Sequence, residues 1–279
     1  MFEKILYAVE DGVACITLNM PEQMNPLGAG PRSMREELIS ALALASADDS
    51  VACVLLNAAG SSFTSGGDLS KGLPNSSVIE THRFGRDILR SHVTVRAFEK
   101  PLIVAVQGYC LGAGMGLIAQ CDLVIAGDDA RFGLVESRMG LPGSAELVPV
   151  VGATWAKYLA FTGEFIDAEQ ARQAGLVFKV EAASALQARA RALAQRISRM
   201  PRDALILNKA SIVAVDEAMG RATAMVAGRP HENLVLAANP SAKAPDGRTF
   251  EEILRTEGVA GLKRAREQQF RGSWLGGAS

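Results

Sequence analysis

Cysteine and histidine are scarce in this sequence, with four cysteines and three histidines among 279 residues. The cysteines lie in apolar surroundings and lack the spacing of metal ligands: Cys15, Cys53, Cys110 and Cys121. We therefore expect no bound metal and no disulfide, but buried thiols in a protein of the reducing cytoplasm. Because no histidine lies near Cys110 in sequence, a cysteine nucleophile has no support either.

Charge of either sign is also not in excess, since 29 Lys and Arg residues oppose 30 Asp and Glu residues. The net charge of -1 gives no overall basic field, so we expect no nucleic-acid partner. Residues 1–5 show no signal-peptide pattern. The long apolar stretch at residues 102–126 contains four glycines, Gln107, Gln120 and Asp122. These interruptions favour a buried strand–turn–helix–strand unit over a membrane span.

Apolar residues make up 48% of the chain, enough to bury a full core. Short apolar runs alternate with helical spacing up to residue 140, which predicts an α/β fold with mainly parallel strands. Predicted strands lie at residues 5–9, 13–18, 51–57, 102–106, 122–126 and 176–180. Predicted helices lie at residues 34–46, the second half of 71–96, 114–120, 153–161, 167–175, 183–198, 202–227 and 250–270.

The C-terminal part of the sequence differs in character from the rest. Residues 228–248 contain three prolines and are predicted to form a loop or linker. We expect a core at residues 1–200 and a helical C-terminal region at residues 201–279.

Two glycine-rich turns follow predicted strands, at residues 61–69 and 108–116. Neither carries bulky side chains where the backbone would approach another molecule. Paired turns of this kind can direct two main-chain N–H groups at one oxygen atom, which forms an oxyanion hole. The second turn lacks the ending of a phosphate loop and the spacing of a dinucleotide fingerprint. The two turns therefore predict an enzyme that stabilises negative charge on a carbonyl or thioester oxygen.

Taken in order, these turns and several later motifs resemble the crotonase superfamily, also called the enoyl-CoA hydratase/isomerase family. The resemblance covers about residues 5–225 and, more weakly, 255–270. It is carried by residues 62–69, 108–114, 121–122, 131–136, 139–143, 158–163 and 171–177. It implies a spiral of ββα units with a helical C-terminal region, assembled as a homotrimer or a dimer of trimers. It also implies an acyl-CoA thioester substrate, with coenzyme A as part of that substrate and no other cofactor.

By position, the resemblance makes Gly67 and Ala113 the two N–H donors of the oxyanion hole. Ala113 also lies at the start of a predicted helix, where N–H groups are unpaired and the helix dipole favours an anion. The residues expected to contact the acyl-CoA lie in the two turns or just after the first one: Ser65, Asp68, Leu69, Ser70 and Gly112. We expect no membrane partner.

The carboxylates of the predicted site indicate which reaction the enzyme catalyses. Hydratases of the family use two glutamates, but in this sequence the two positions hold Gly116 and Glu136. A lone glutamate at the second position is the pattern of enoyl-CoA isomerases, so Glu136 is the expected proton-transfer base. The neighbouring apolar residues indicate a half-buried carboxyl, and burial would raise its pKa. Isomerisation in fatty-acid or related acyl-CoA metabolism is therefore the leading interpretation.

Other interpretations remain open at this stage. Glu146 lies near a predicted helix start, where an acid most simply complements the helix N-terminus. It would instead make the enzyme a hydratase if it supplied a second carboxylate beside Glu136. An acyl-CoA hydrolase or dehalogenase would use the same oxyanion hole, and a catalytically silent CoA-binding trimer is the non-enzymatic alternative. His82 and His92 lie in the stretch that lines the acyl pocket in relatives, where either could contact substrate, but packing or surface roles are expected for both.

Overall fold

Nine strands form two sheets in the computed structural model, which describes residues 2–70, 72, 77–143, 145–270 and 274–275. In chain order they are β1 (Ile5–Glu10), β2 (Val13–Leu18), β3 (Cys53–Ala58), β4 (Leu102–Val106), β5 (Tyr109–Leu111), β6 (Leu123–Gly127), β7 (Arg131–Gly133), β8 (Phe165–Asp167) and β9 (Lys179–Glu181). The larger sheet has the order β1-β2-β3-β4-β6-β9, and the smaller sheet has the order β5-β7-β8. Only β1–β2 and β7–β8 pair antiparallel, so the α/β prediction with mainly parallel pairing is confirmed.

Ten α-helices cover the sheets and form the C-terminal region of the described chain. They are α1 (Met34–Ala47), α2 (Val78–Arg96), α3 (Ala113–Ile118), α4 (Val148–Thr162), α5 (Ala168–Gln173), α6 (Leu186–Ser198), α7 (Arg202–Ala218), α8 (Arg221–Ala227), α9 (Arg229–Ala238) and α10 (Phe250–Glu267). Local chemistry fixes several of their starts. For example, the Thr249 side chain accepts a hydrogen bond from the Glu252 N–H, and Glu252 accepts one from the Thr249 N–H. This reciprocal capping box starts α10.

The core lies on both faces of the larger sheet. All five residues of β4 are buried, as expected for a central parallel strand. On one face β3 and β4 pack with α1 through Leu38 and Leu42, and on the other they pack with α6 through Ala190 and Ala194. The small alanines on α6 allow this helix to approach the sheet closely. Together these layers hold the ends of β3 and β4 rigidly in place.

Two sequence predictions were wrong in the C-terminal region. Residues 228–248 were expected to be a loop, but they contain α9 and a 3-10 helix at Asn239–Ser241. Pro230 lies in the first turn of α9, where its missing N–H has no helical acceptor to lose, so this proline is compatible with the helix start. The single helix predicted at 202–227 is divided into α7 and α8, because Gly220 has φ +99°.

The remaining differences concern short elements. The three strands of the smaller sheet have three residues each, too few to show a period in the sequence.

All four cysteines are free, with Cys53 and Cys110 buried and the other two half-buried. No helix among the described residues has the length and apolar character needed to cross a bilayer.

Candidate active site

The two glycine-rich turns lie side by side at a cavity of about 400 Å³. Backbone hydrogen bonds hold them together, from the Thr64 N–H to the Tyr109 oxygen at 2.9 Å and from the Leu111 N–H to the Thr64 oxygen at 3.1 Å. Gly67 of the first turn and Ala113 of the second turn both line the cavity. The sequence predicted that these turns would meet, and the structure brings them together.

Glycine is required where the turns touch. Gly66 has φ +91°, and a Cβ atom on it would lie 2.6 Å from the Leu111 oxygen and 3.5 Å from the Ala113 nitrogen. Such a contact with backbone atoms would push the two turns apart. Within the described ranges, no acceptor receives the N–H of Gly67 or Ala113. Both donors are therefore free to bind an oxygen atom in the cavity.

Glu136 lies in a 3-10 helix at Val135–Met139, just after β7, and lines the same cavity. Its carboxylate packs against the backbone of the second turn, since a Cβ atom on Gly112 would lie 2.7 Å from Glu136 Oε2. Burial raises the pKa of Glu136 to about 7, and the negative charge of Glu146 acts in the same direction. A carboxyl group with this pKa can both accept and return a proton near neutral pH.

Glu146 is a further carboxylate that lines the cavity. It lies in a 3-10 helix at Ala145–Leu147 before α4, and only 4% of the residue is exposed. Its Oε1 atom lies 2.8 Å from the position of a Cβ atom on Gly116. Glu146 therefore occupies the space beside Gly116 instead of lying on the surface at a helix end.

His92 on α2 completes this side of the cavity, whereas the sequence favoured a packing or surface role over a substrate contact. It is 1% exposed, and its Nδ1 atom lies 3.3 Å from Glu146 Oε1. In the described part of the chain, neither ring nitrogen has a hydrogen-bond partner of acceptable geometry. The other histidine of this helix, His82, is exposed.

The charge states of His92 and Glu146 depend on their burial and on the charged groups close to them. Burial lowers the pKa of His92, so its imidazole is neutral near neutral pH. Burial alone would raise the pKa of Glu146, but the contact with His92 and the charge of Arg229 hold it below its usual value. Because His92 and Glu146 are so close, they titrate as a pair, with the carboxylate ionised and the imidazole neutral.

Two helices form one wall of the cavity, and sequence reasoning missed the second of them, α9. α2 presents cavity residues at four-residue spacing, and α9 presents them at spacings of three and four, which places each set on one helix face. The α2 residues are Glu80, Phe84, Ile88 and His92, and the α9 residues are Arg229, Glu232, Asn233 and Leu236. The spacing on α9 was present in the sequence, but the prolines of residues 228–248 were read as evidence for a loop.

Most of the predicted substrate contacts also lie at the cavity. Its lining includes Ser65, Asp68, Leu69 and Gly112. Ser70 is outside the lining, and its hydroxyl donates a hydrogen bond of 2.6 Å to Asp68. Among the described residues, no group of three or more His, Cys, Asp or Glu side chains is arranged to hold a metal ion.

This chain is similar to known proteins in both sequence and structure. A sequence model of the family described as enoyl-CoA hydratase/isomerase matches residues 8–230. The short-chain-enoyl-CoA hydratase of Clostridium acetobutylicum is 34% identical over 215 residues, which are 75% of this chain and 80% of that protein. The trans-2-decenoyl-[acyl-carrier-protein] isomerase of Streptococcus mutans is 33% identical over 186 residues, 64% of this chain and 70% of that protein.

Structural similarity extends over nearly the whole chain. A crystal structure of an enoyl-CoA hydratase/isomerase from Xanthobacter autotrophicus Py2 superposes with a TM-score of 0.88 and 30% identity, covering 98% of this chain and 100% of that chain. The crotonase-like fold expected from the sequence is therefore confirmed. The chain belongs to the enoyl-CoA hydratase/isomerase family, within the crotonase superfamily.

Proposed function

We propose that this acyl-CoA enzyme isomerises an enoyl-CoA, with Glu136 moving a proton between two carbon atoms of the acyl group. The observation that carries this proposal is the position of the Glu136 carboxylate, packed on Gly112 and next to the free N–H of Ala113. A base in that position faces the carbon atoms beside a thioester whose oxygen binds the N–H groups of Gly67 and Ala113. The reaction belongs to fatty-acid or related acyl-CoA metabolism.

The proposed isomerisation needs one base and consumes no other reactant. Glu136 takes a proton from the α carbon of a 3-enoyl-CoA, and the electron pair of that C–H bond moves into a dienolate. The negative charge on the thioester oxygen is stabilised by the N–H groups of Gly67 and Ala113. Glu136 then returns the proton to the γ carbon, which leaves the double bond between the α and β carbons. Loss of one N–H donor would cost about 3 kcal/mol in the transition state.

Hydration is the second candidate, and a specific observation favours it. The isomerase interpretation assumed that Gly116 leaves Glu136 as the one carboxylate, but Glu146 Oε1 lies 2.8 Å from the Cβ position of Gly116. Ionised Glu146 would hold and activate a water molecule for attack on the β carbon, and protonated Glu136 would supply the α proton. The two carboxyl groups have pKa values shifted in opposite directions, as such a division of roles needs.

Exposed apolar side chains on α7 support the expected homotrimer or dimer of trimers. This helix has no buried residue, and the exposed fractions are 65% for Leu207, 69% for Ile212 and 62% for Val215 on the helix and 80% for Met219 just after its end. A cluster of this kind is typical of an interface between subunits. Light scattering of the purified protein measures the number of subunits, and a monomer would contradict this part of the proposal.

Deuterium uptake from solvent separates the two reactions. A 3-enoyl-CoA and a 2-enoyl-CoA are incubated in heavy water, and the products are analysed by mass spectrometry and ultraviolet absorbance. Carbon-bound deuterium with a shifted double bond supports isomerisation, whereas the added mass of water supports hydration. Release of free CoA would indicate a hydrolase. No reaction of either thioester, despite measurable CoA binding, would contradict both proposals and favour the silent trimer.

A further inference from the structure

Arg229, the first residue of α9, brings a positive charge to the cavity beside Glu146. Its Nη1 atom lies 3.0 Å from Glu232 Oε2, one turn further along the same helix. Its Nε and Nη2 atoms are buried and have no hydrogen-bond partner in the described part of the chain. The Nη2 atom is 3.9 Å from Glu146 Oε1, which is too far for a hydrogen bond.

The two unpaired atoms of Arg229 lie on the same edge of the guanidinium group. Nε–H and Nη2–H point in parallel directions, and together they form the fork that binds the two oxygens of a carboxylate. A guanidinium group has donors only, so nothing but an acceptor can satisfy them. Buried N–H groups without acceptors are rare in folded proteins, because each costs free energy when water is removed.

Arg35 on α1 adds a second positive charge to this part of the cavity. It is 3% exposed and lines the cavity. Hydrogen bonds to the Gly28 oxygen at 3.0 Å and to Ser91 Oγ at 2.8 Å hold its side chain in place. Burial lowers the pKa of Arg35 to about 10, so it remains charged near neutral pH. Arg35 and Arg229 both lie close enough to Glu146 for their charges to interact with it, and Arg229 also pairs with Glu232.

We infer that the acyl group of the substrate carries a carboxylate, which binds the Nε–H and Nη2–H edge of Arg229. This inference rests on the proposed function, because it assumes that the cavity holds an acyl-CoA. It names the substrate class as thioesters of dicarboxylic acids. Arg229 belongs to residues 228–248, so the specificity comes from the segment that forms α9.

Matched pairs of saturated thioesters test this inference without turnover. Butyryl-CoA is compared with succinyl-CoA, valeryl-CoA with glutaryl-CoA, and hexanoyl-CoA with adipyl-CoA, by isothermal titration calorimetry. Each pair shares the CoA part and the chain length, and the partners differ in having a methyl or a carboxylate end. We expect one carboxylate-ended thioester to bind roughly 10- to 100-fold more tightly than its partner, as for hydrogen bonds between charged groups.

The variant Arg229→Met keeps the length and apolar stem of the side chain but removes its donors. It should abolish the preference, while Arg229→Lys, which keeps the charge without the fork, should retain a small part of it. Equal affinities within all three pairs for the unmodified protein would overturn the inference, and so would a preference that Arg229→Met leaves intact. Thermal unfolding and binding of free CoA show whether each variant is folded.

Failure of the proposed function and failure of the inference about Arg229 give different patterns of binding and turnover. If the protein binds carboxylate-ended thioesters selectively but turns over none of their enoyl forms, the substrate class stands and the isomerase and hydratase proposals fall. If it turns over enoyl-CoA substrates with methyl and carboxylate ends equally, the reaction stands and the role of Arg229 falls.

Discussion

Oε1 of Glu146 lies 2.8 Å from the position that a Cβ atom on Gly116 would occupy. The two residues are thirty positions apart in sequence and lie on different elements, α3 and the 3-10 helix before α4. A side chain at position 116 and the side chain of Glu146 therefore compete for the same space. Glu146 therefore places a carboxylate beside Gly116, where the motif itself supplies none.

An exchange of these two positions tests whether Glu146 supplies the second carboxylate. Glu146→Ala should lower water addition by about 10²–10⁴, because one acid–base group is lost. Gly116→Glu alone should destabilise the protein, since its Cβ atom would lie 2.8 Å from Glu146 Oε1 and 3.0 Å from His92 Cε1. The double variant Gly116→Glu/Glu146→Ala should regain stability and part of the water addition, measured by loss of 2-enoyl-CoA absorbance.

The control for this exchange is the isomerisation of a 3-enoyl-CoA by the same variants. Isomerisation needs Glu136 and no second carboxylate, so Glu146→Ala should affect it much less than it affects hydration. If Glu146→Ala leaves water addition unchanged, Glu146 has a structural role only.

Replacement of Glu136 by Gln tests the group that transfers the proton in both reactions, as base in isomerisation and as acid in hydration. The amide keeps the shape of the side chain but cannot carry the proton, so turnover should fall by about 10²–10⁴. Binding of CoA should remain, because the main-chain donors are not altered. Glu169→Gln is a matched control, since that side chain is 52% exposed on α5 and pairs with Arg172. Turnover by Glu136→Gln at the rate of this control would rule out Glu136 as the base.

The raised pKa of Glu136 predicts the pH dependence of isomerisation. The base must be ionised in the free enzyme, so kcat/KM should rise with pH and level off above about 7. Glu146 contributes a negative charge that raises this pKa, so Glu146→Gln should move the midpoint to lower pH. A midpoint unchanged by Glu146→Gln would show that the two carboxyl groups do not interact.

The same pKa predicts a pH dependence of the free energy of unfolding. Between the ordinary glutamate pKa of 4.5 and about 7, the folded protein binds a proton at Glu136 that the unfolded chain has released. The contribution of Glu136 to stability is therefore largest below this range and decreases as pH rises through it. Urea unfolding at several pH values should show a steeper decrease for the unmodified protein than for Glu136→Gln. Parallel curves for the two proteins would contradict the raised pKa.

Sequence reasoning worked where a motif dictates backbone geometry. The turns at residues 61–69 and 108–116 were recognised because glycine is needed where the backbone bends with positive φ or approaches another strand, as at Gly66. The adjacent strands β3 and β4 were visible as continuous apolar runs. These local signals predicted the two turns, and the resemblance to the crotonase superfamily selected Gly67, Ala113 and Glu136, which all line one cavity.

Contacts between segments that are distant in sequence could not be predicted from local motifs. The contact between His92 and Glu146 joins α2 to a segment 54 residues later, and no motif encodes it. Similarly, α9 lines the cavity because it packs against α2, where a Cβ atom on Gly85 would lie 3.2 Å from Asn233 Oδ1. The three prolines of residues 228–248 suggested a loop. A helix forms there because Pro230 lies in the first turn, where proline is tolerated, and because tertiary packing stabilises the helix.

Neighbouring glycines in the first turn should respond differently to alanine. Gly66→Ala places a Cβ atom 2.6 Å from the Leu111 oxygen at φ +91°, so we expect a loss of about 1–3 kcal/mol in the free energy of unfolding. A Cβ atom on Gly67 meets nothing within 4 Å, so Gly67→Ala should leave stability nearly unchanged. Because Gly67 lines the cavity, the added methyl group should nevertheless weaken thioester binding and turnover. Urea unfolding and steady-state kinetics on both variants measure the two effects separately. Full activity in Gly67→Ala would mean that the bound thioester does not occupy the space beside the Gly67 α carbon.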